Sequence, residues 1–332
     1  MKIGNSYLQL ADLYRRQDGN GQIAEVIDML AEINPILEDS MAIECNNGNS
    51  HLTTVRTGIP QGTWRKLYQG VQPSKSTTKQ VDDTTGWLEA YSEVDAKLVR
   101  MAGAGGNALR LDEAESFVEG MSNQMATAMF YSDDAANPEQ FMGLAPRFSA
   151  LSAENGGQIV DAGGTGADNT SIWFVVWSPK TCHLLYPAGS KAGIQREDLG
   201  KTTKEMSDGS LYEIYREHFE WDVGLSLRDW RYVSRIANVD VSDIAANGQS
   251  GGKALDDYMI DGYYKLRQRR VRNGKAAIYA NTEVKTALHK LAKDKGNVNL
   301  TITEFEGQEI VNFLGIPIRE CDALLNTEAR VV

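Results

Sequence analysis

The chain has 332 residues, 42% of them hydrophobic and 24% charged, with a mean hydropathy of −0.38, which excludes a disordered polypeptide. Its formal net charge of −11 weighs against a dedicated nucleic-acid-binding protein, because phosphate recognition requires clustered basic residues. The longest apolar run, Ile172 to Trp177, has the length of a strand and is too short to span a membrane.

The first element is a short N-terminal arm, residues 1–45. It contains two helix-like patterns joined by Asp18–Gly21, a sequence typical of turns. The second pattern, Ile23 through Ile33, places apolar residues on one face and ends before Pro35. So short an arm cannot form its own core, and we expect it to lie against its own subunit or a neighbour. Met1–Ser6 lacks the pattern of a signal peptide, so secretion is not expected.

Residues 46–95 form the second element, in which the composition shifts towards Thr, Ser, Gly, Gln and Lys. Alternating polarity in His51–Arg56, and again around Trp87–Tyr91, predicts two strands, with polar Pro73–Gln80 as a loop tip between them. An isolated hairpin is at best marginally stable in water. We therefore expect this excursion to be stabilised by packing on another surface.

Gly103–Ala108 fits the Gly-x-Gly-x-x-Ala pattern and precedes a helix, so it is a candidate dinucleotide-binding turn. Such a turn requires a buried parallel strand directly before it, so that a pyrophosphate meets the helix N-terminus. The preceding segment, Glu93–Met101, is charged at intervals and is typical of an edge strand or a short helix. A flexible hinge is the simpler interpretation, and nucleotide binding stays an alternative.

A long helix is predicted from about 108 to 132. Its apolar residues recur at steps of three and four, which places them on one helix face: Leu111, Ala114, Val118, Met121, Met125 and Met129. Turn chemistry follows in Asp133–Pro138. Phe141 and Leu144 then supply apolar groups with which the chain is expected to dock back.

The remaining sequence alternates strand and helix patterns. Ser171–Tyr186 and Asp222–Ile236 are typical of buried strands, with Pro179 as a break in the first. Ala276–Ala280 predicts a strand, and Thr282–Lys295 a helix that ends before Gly296. Together the elements predict a mixed α/β (α+β) fold.

The residues able to bind metals are dispersed through the chain. The cysteines and histidines are Cys45, Cys182, Cys321, His51, His183, His218 and His289. None forms a Cys-x-x-Cys or His-x-x-x-His spacing, so neither a disulfide framework nor a metal site is expected, and a reduced cytosolic environment fits. The acidic pairs Asp82–Asp83, Asp133–Asp134 and Asp256–Asp257 are interpreted as turn residues rather than as a cation site. No catalytic, cofactor-binding or metal-ligating residue is predicted.

Two charged motifs have more than one interpretation. The basic run consists of Lys265, Arg267, Arg269, Arg270, Arg272 and Lys275. A solvated helix face that ends at Asn273–Gly274, or a contact with an acidic neighbouring subunit, is favoured over DNA contact. Asp229–Arg231 is interpreted as a strand that presents its charges to opposite faces, with a buried charge pair as the alternative.

Several segments between about residues 105 and 330 together resemble the major capsid proteins of tailed bacteriophages, the family with the Hong Kong 97-type fold. The first is the long helix followed by Asn137–Pro138 and Phe141–Leu144. The others, in chain order, are Ser171–Ser178, His183–Pro187, Gly193–Ile194, Glu197–Gly200, Trp221–Tyr232, Arg235–Asp240, Leu314–Ile318 and Cys321–Leu324. Each segment has low specificity alone, whereas their order is characteristic.

The resemblance implies four regions: an N-terminal arm (1–45), an extended loop (46–95), a peripheral domain on a spine helix (96–150, with strands near 220–245), and a mainly axial domain with a C-terminal return (151–332). Gly58–Arg65 matches the usual opening of the family's extended loop, which lies across the adjacent subunit. Trp64, Tyr68 and Trp87 are candidates for that contact. They could equally form an aromatic cluster that holds the loop on its own subunit.

The function that the resemblance implies is a structural one, without catalysis or cofactors. The chain is expected to assemble through hexamers and pentamers into an icosahedral shell around double-stranded DNA, in the cytoplasm of a bacterial host. A portal protein is an expected partner, and a separate scaffolding protein and a cement protein are further candidates. Some capsid proteins of this fold crosslink Lys to Asn, but Lys66, Lys75 and Lys79 have no evident acidic catalyst, so crosslinking is not predicted.

Two alternatives stay open. An α/β enzyme could bind a nucleotide at Gly103–Ala108. An encapsulin, a bacterial compartment shell of the same fold, would enclose cargo enzymes in place of DNA.

Overall fold

A computed structural model describes residues 34–267, 274–293, 299–305 and 308–332. The helices in it are α1 Ile36–Asp39, α2 Ala96–Met101, α3 Gly106–Tyr131, α4 Leu144–Arg147, α5 Val241–Asn247, α6 Leu255–Lys265 and α7 Thr282–Ala292. The strands are β1 Ala42–Glu44, β2 Ser50–Gly58, β3 Thr77–Asp95, β4 Ile159–Asp161, β5 Asn169–Trp177, β6 Cys182–Tyr186, β7 Gln195–Glu205, β8 Leu211–Leu227, β9 Val233–Asp240, β10 Gln249–Ser250, β11 Lys253–Ala254, β12 Lys275–Ala280, β13 Leu300–Phe305, β14 Gln308–Phe313 and β15 Ile316–Glu320. The helices predicted before residue 34 lie outside the described residues.

Most of the described strands belong to one mixed sheet of 13 strands, which confirms the predicted mixed α/β class. Its main path runs β13-β14-β15-β12-β5-β6-β8-β3-β2, with β7 paired to β8 and β9 paired to β5. β12 and β15 are parallel, as are β1 and β6, whereas β3, β7 and β8 pair antiparallel. The sheet therefore joins a compact body to a set of long antiparallel strands.

Strand β5 divides the core because its side chains alternate between the two faces of the sheet. Trp173, Val175 and Trp177 pack with α3, whereas Ile172, Phe174 and Val176 pack with α6 and α7. All six side chains are buried. A strand covered on both faces reads as a continuous apolar run, which is why its sequence shows no alternation.

Helix α3 confirms the predicted long helix. Ala114, Met121, Met125 and Met129 are buried against the sheet, as the spacing predicted. The same stripe, however, leaves Leu111 49% and Val118 37% exposed, because the N-terminal half of the helix extends along the side of the sheet's long strands. No helix in the described part of the chain is both long and apolar enough to cross a membrane.

The segment after α3 docks back as predicted. Phe141 and Leu144 are buried in the same core as α3. Ser132 ends the helix, and its hydroxyl lies 2.6 Å from the Ala128 carbonyl oxygen and 2.5 Å from that of Phe141, so its single hydrogen can be donated to either. The Gly143 N–H donates to the Ser132 carbonyl at 2.8 Å, which holds the returning segment directly on the helix end.

The other predicted elements are confirmed, except that one predicted strand is interrupted and one hairpin was not predicted. Pro179 does separate β5 from β6, Ala276–Ala280 lies in β12, and α7 covers the described part of the predicted helix at Thr282–Lys295. The predicted strand at Asp222–Ile236 is interrupted by a 3₁₀ turn at Trp230–Tyr232, which the sequence did not indicate. The long hairpin of β7 and β8 was also not predicted.

The end of the N-terminal arm packs on its own subunit. Ile36 is fully buried in the core that contains α3, and β1 adds to the sheet beside β6. The Asp39 carboxylate is buried and accepts a hydrogen bond from the Tyr279 hydroxyl at 3.0 Å. The sequence allowed the arm to lie on its own subunit or on a neighbour, and residues 34–45 lie on their own subunit.

Candidate assembly surfaces

The extended loop is a hairpin whose second strand belongs to the main sheet. β2 pairs with the first part of β3, and β3 then continues to pair with β8 from Thr85 to Asp95. The hairpin was expected to need packing on another surface, and for the C-terminal half of β3 that surface is β8 of the same subunit. β3 is long enough to serve both the hairpin and the sheet, and this anchors the hairpin in its own subunit.

The outer edge of β2 is partly closed by side chains. The Asn46 carboxamide accepts from the Leu52 N–H and donates to the Leu52 carbonyl, each at 2.9 Å, as a neighbouring strand would. Asn47 and Ser50 exchange backbone hydrogen bonds at 3.1 and 3.2 Å. These contacts cover the base of the edge, where an open strand would otherwise invite unwanted pairing.

The tip of the hairpin, residues 59–76, exposes large apolar side chains. Trp64 is 101% exposed, Tyr68 106% and Leu67 83%. Tyr68 also has a positive φ of 63°, a conformation that is unfavourable for a tyrosine. An aromatic cluster on the chain's own body is thus wrong for Trp64 and Tyr68, because both side chains lie free of the subunit.

Trp87 occupies a different position from the tip aromatics. It lies in β3 opposite Asp222 of β8 and is 63% exposed. Together with Gln124 and Tyr131 of α3 and Phe141 of the docking segment, it lines a groove of about 620 Å³. Trp87 thus leaves most of its ring exposed beside this groove, where it is suited to contact with another protein.

The base of the hairpin is fixed by a buried ion pair. Asp83 of β3 accepts from Arg147 Nη1 of α4 at 2.9 Å and from the Ser226 hydroxyl of β8 at 2.8 Å. Arg147 Nη2 also donates to the carbonyl oxygens of Met142 and Leu225. Asp83 was expected to lie in a turn, which was wrong, since it lies in β3 and is buried there.

Two histidines lie beside this ion pair. His51 of β2 accepts at Nε2 from Arg228 Nη2 at 2.5 Å, and its ring meets that of His183 edge to face with centroids 5.9 Å apart. Burial lowers the pKa of His183 to about 3, with further lowering by Arg228 and His51. Burial, and then Arg228, also lowers the pKa of His51. The cysteine next to them, Cys182, has its pKa raised to about 12 by burial, so its thiol is neutral.

Charge networks tie the second hairpin to the first. Glu93 of β3 accepts from Lys204 of β7 and from Arg216 of β8. Burial of Glu93 disfavours its ionised form, but the hydrogen bonds from these two cations outweigh burial and lower its pKa. Glu217, 3% exposed, likewise pairs with Arg110 of α3 at 2.9 Å.

A third buried network holds the C-terminal segment. Glu328 pairs with Arg235 of β9 at 2.8 Å and accepts from the Tyr131 hydroxyl at 2.5 Å and from the Ser171 hydroxyl. Burial, and then the Glu328 carboxylate, raises the pKa of Tyr131 well above its ordinary value. Sequence reasoning missed this network and the hairpin base, because their members are separated by up to 197 residues and no local pattern marks them.

The structure does not give Gly103–Ala108 the geometry of a dinucleotide-binding turn. The strand before it, β3, is antiparallel to β8, and α2 separates that strand from the glycines. Gly103 has a φ of 58°, and Gly103–Gly105 forms a 3₁₀ turn that leads into α3. The segment is thus a connector between two helices, α2 and α3.

The remaining charged motifs differ from their predicted settings. Asp229 and Arg231 pair with each other through two hydrogen bonds of 2.7 and 2.8 Å across the 3₁₀ turn. The prediction that a strand presents these two charges to opposite faces was therefore wrong. α6 ends at Lys265, whose ammonium group donates to backbone carbonyls, and Lys275 lies in β12. The prediction that the basic run lies on a single helix face was therefore also wrong. Arg269, Arg270 and Arg272 lie outside the described residues.

Metal-binding groups do not converge in the described part of the chain. Asp256 and Asp257 lie in the first turn of α6 rather than in a loop, and Asp133 and Asp134 do lie in a turn. Lys66, Lys75 and Lys79 are exposed on the hairpin.

Comparison with known proteins agrees with this architecture. The sequence model of one protein family, major capsid protein GP7, matches residues 18–332. The chain belongs to this family. A structure of bacteriophage epsilon15 shares 41% sequence identity with this major capsid protein, with a TM-score of 0.78 and coverage of 99% of both chains. The fold is of the Hong Kong 97 type, and the protein is a major capsid protein of a tailed bacteriophage.

More distant structures are similar over part of this major capsid protein. Mycobacterium phage Adephagia is 10% identical with a TM-score of 0.44, covering 69% of this chain and 97% of the other. The SrpI encapsulin complex from Synechococcus elongatus PCC 7942 is 10% identical with a TM-score of 0.46, covering 70% and 97%. Neither likeness carries a functional inference. No curated protein matches the sequence.

Proposed function

We propose that this major capsid protein assembles through hexamers and pentamers into an icosahedral shell that encloses double-stranded DNA, by non-covalent contacts and without catalysis. The observation that supports it most is the hairpin tip, where Trp64, Leu67 and Tyr68 are almost wholly exposed in one subunit. Burial of side chains of this size against a neighbouring subunit lowers the free energy of the assembly. Because many such contacts act together in a shell, each can be weak.

The four regions are part of this proposal. Residues 1–45 act as an arm, 46–95 as an extended loop, 96–150 with the strands near 220–245 as a peripheral domain on α3, and 151–332 mainly as an axial domain. The anchoring of β3 in the main sheet supports a loop that is held rigidly at its base and offered to a neighbour at its tip. A portal protein, and a separate scaffolding or cement protein, would be further partners in the host cytoplasm.

Substitution of the tip aromatics tests the proposal. We expect the variant Trp64→Ala/Tyr68→Ala to remain folded, since neither side chain packs on its own subunit, but to form few or no shells. Negative-stain microscopy and sedimentation velocity would measure the shell fraction beside the unaltered chain. Tyr264→Ala, which removes another aromatic that is 66% exposed but lies on α6, serves as the matched control and should retain assembly.

Two outcomes would contradict the proposal. The first is normal shell formation by the double variant. The second is an unaltered chain that stays monomeric at every protein and salt concentration. Particles purified from the native host that contain an enzyme cargo in place of DNA would instead indicate an encapsulin.

A further inference from the structure

The histidines at the base of the hairpin lack the partners that a charged imidazole would need. His51 is 5% and His183 0% exposed. Nδ1 of His51 and both ring nitrogens of His183 have no partner of hydrogen-bond geometry among the described residues. The backbone of Ser178 favours a protonated His183, but its effect on the pKa is smaller than the opposing effects of burial, Arg228 and His51. Because a buried charge without compensation is costly, both rings are neutral in this structure.

The charged groups around the rings also oppose protonation. Arg228 lies close to both rings, and its guanidinium can only donate, so His51 Nε2 must be its acceptor. A proton on that nitrogen would remove the acceptor and bring two cations to the 2.5 Å now spanned by the hydrogen bond. Asp82 and Asp83 of β3 favour a charged His51, but Asp83 is already engaged by Arg147 and Ser226, and Asp82 is exposed to solvent.

These groups lie at the junction between the hairpin and the central sheet, so their protonation can affect how the two are joined. His51 lies in β2 opposite Asp83, at the point where the hairpin leaves the body, whereas His183 lies in β6 of the central sheet. Arg228 follows β8, and its N–H donates to the Thr181 carbonyl at 2.8 Å, which fixes it to the body. The contacts of His51 with Arg228 and His183 therefore join the hairpin to the central sheet.

We propose that His51, His183 and Arg228 form an acid-sensitive latch: protonation of the two imidazoles releases the base of the hairpin from the central sheet while the rest of the fold stays closed. The latch is a property of the folded subunit and is independent of what the shell encloses. Its effect would be to loosen the extended loop in acid before the subunit unfolds.

The direction of the pH dependence follows from proton binding. Release of the hairpin removes His51 and opens the site to water, so the pKa of His183 rises from about 3 towards its ordinary value of 6.5. The released state binds more protons between these values, so the latch weakens as the pH falls below 6.5. His183 alone would raise the ratio of released to latched hairpin by up to about 30-fold between pH 7.5 and pH 5. His51, whose pKa is also lowered, adds to the effect in the same direction.

Amide hydrogen exchange of the full chain at pH 7.5 and pH 5 tests the latch, with rates corrected for intrinsic exchange. Protection in β2, and in the part of β3 that pairs with it, should fall, by up to about 30-fold from His183 alone, while protection in α7 stays unchanged. In His51→Gln/His183→Gln, neither side chain can take up a proton, so the fall should disappear. His289→Gln, a matched substitution on α7, should keep it.

A second measurement covers the case in which buried glutamines destabilise the chain. Exchange of the histidine C2 hydrogen in the unaltered protein reports the pKa of each ring, and both His51 and His183 should titrate below the ordinary value of 6.5. Equal protection of β2 at both pH values would overturn the proposal. So would an unchanged pH dependence in a folded double variant, or a His183 that titrates near 6.5.

Discussion

At the scale of single residues, the buried carboxylate of Glu328 is matched by specific partners. Glu328 shows what such a match does, because its carboxylate receives Arg235, Tyr131 and Ser171, which come from a strand, a helix end and the central strand of the core. Asn238, two residues from the end of β9, holds the same segment by exchanging two hydrogen bonds with the Val331 backbone. The C-terminal segment is thus attached by polar contacts made inside the protein.

Removing the charge of Glu328 should strongly destabilise the subunit. Glu328→Gln leaves the Arg235 guanidinium, whose side chain is 5% exposed, without its counterion. We expect a loss of about 3–5 kcal/mol in the free energy of unfolding, measured by urea denaturation of the unassembled chain. Glu213→Gln, which breaks the solvent-exposed pair with Lys201, is the control and should have almost no effect. Equal stability of the two variants would contradict this interpretation.

At the scale of elements, the contact between α3 and its docking segment depends on the absence of a side chain. A Cβ at Gly143 would lie 2.8 Å from the Ala128 carbonyl oxygen and 3.0 Å from backbone atoms of Phe130. These atoms belong to the helix backbone and cannot move aside easily. The docking segment approaches the helix so closely because this position is a glycine.

Two glycine substitutions should therefore act in opposite directions. Gly143→Ala should destabilise the subunit by about 1–3 kcal/mol, since overpacking would displace the docking segment. Gly120→Ala lies on an open face of α3, with no atom within 4 Å of the new Cβ, and should stabilise the unassembled chain by about 0.5–1 kcal/mol. Thermal unfolding of both variants measures the difference. Destabilisation by both substitutions would show that crowding is not the cause.

Sequence patterns predicted those elements whose determinants are local. The periodicity of α3, the break at Pro179 and the start of α7 at Thr282 all depend on residues close together in the chain. β7 was missed because its sequence is mostly polar and its partner supplies the buried side chains. The 3₁₀ turn at Trp230–Tyr232 depends on the Asp229 side chain accepting from the Arg231 N–H, which strand propensity does not reveal.

The candidate surfaces were predicted only in part, because they depend on contacts between residues that are far apart in the chain. Trp64 and Tyr68 could be singled out because large aromatics in a polar segment suggest a contact. The sequence could not tell which surface they cover, since exposure is a property of the folded chain. The ion pair of Asp83 with Arg147 joins residues 64 positions apart, and only the tertiary fold brings them together.

At the scale of the whole subunit, β5 makes the two halves of the core interdependent. Neighbouring residues of this strand, Trp173 and Phe174, are fully buried on opposite faces, one packed with α3 and the other with α6. Loss of either face removes support from the same strand. The core should therefore unfold as one unit.

Truncation on either face should lower the stability of the whole subunit in one transition. We expect Trp173→Ala and Phe174→Ala each to cost about 3–5 kcal/mol. Tryptophan fluorescence and far-UV circular dichroism, followed during denaturation, should give coincident curves for each variant. Trp87→Ala, at a position 63% exposed, should shift the midpoint much less. Separate transitions for the two probes would show that the faces unfold independently.

Strand β3 has a mechanical consequence for the subunit. It runs without a break from the outer end of the hairpin to the start of α2, nineteen residues that span about 60 Å. Tension applied at the outer end would run parallel to the strand, so its ladder with β8 would be loaded in shear and many hydrogen bonds would have to rupture at once. A subunit built in this way resists stretching along one direction while remaining free to bend across it.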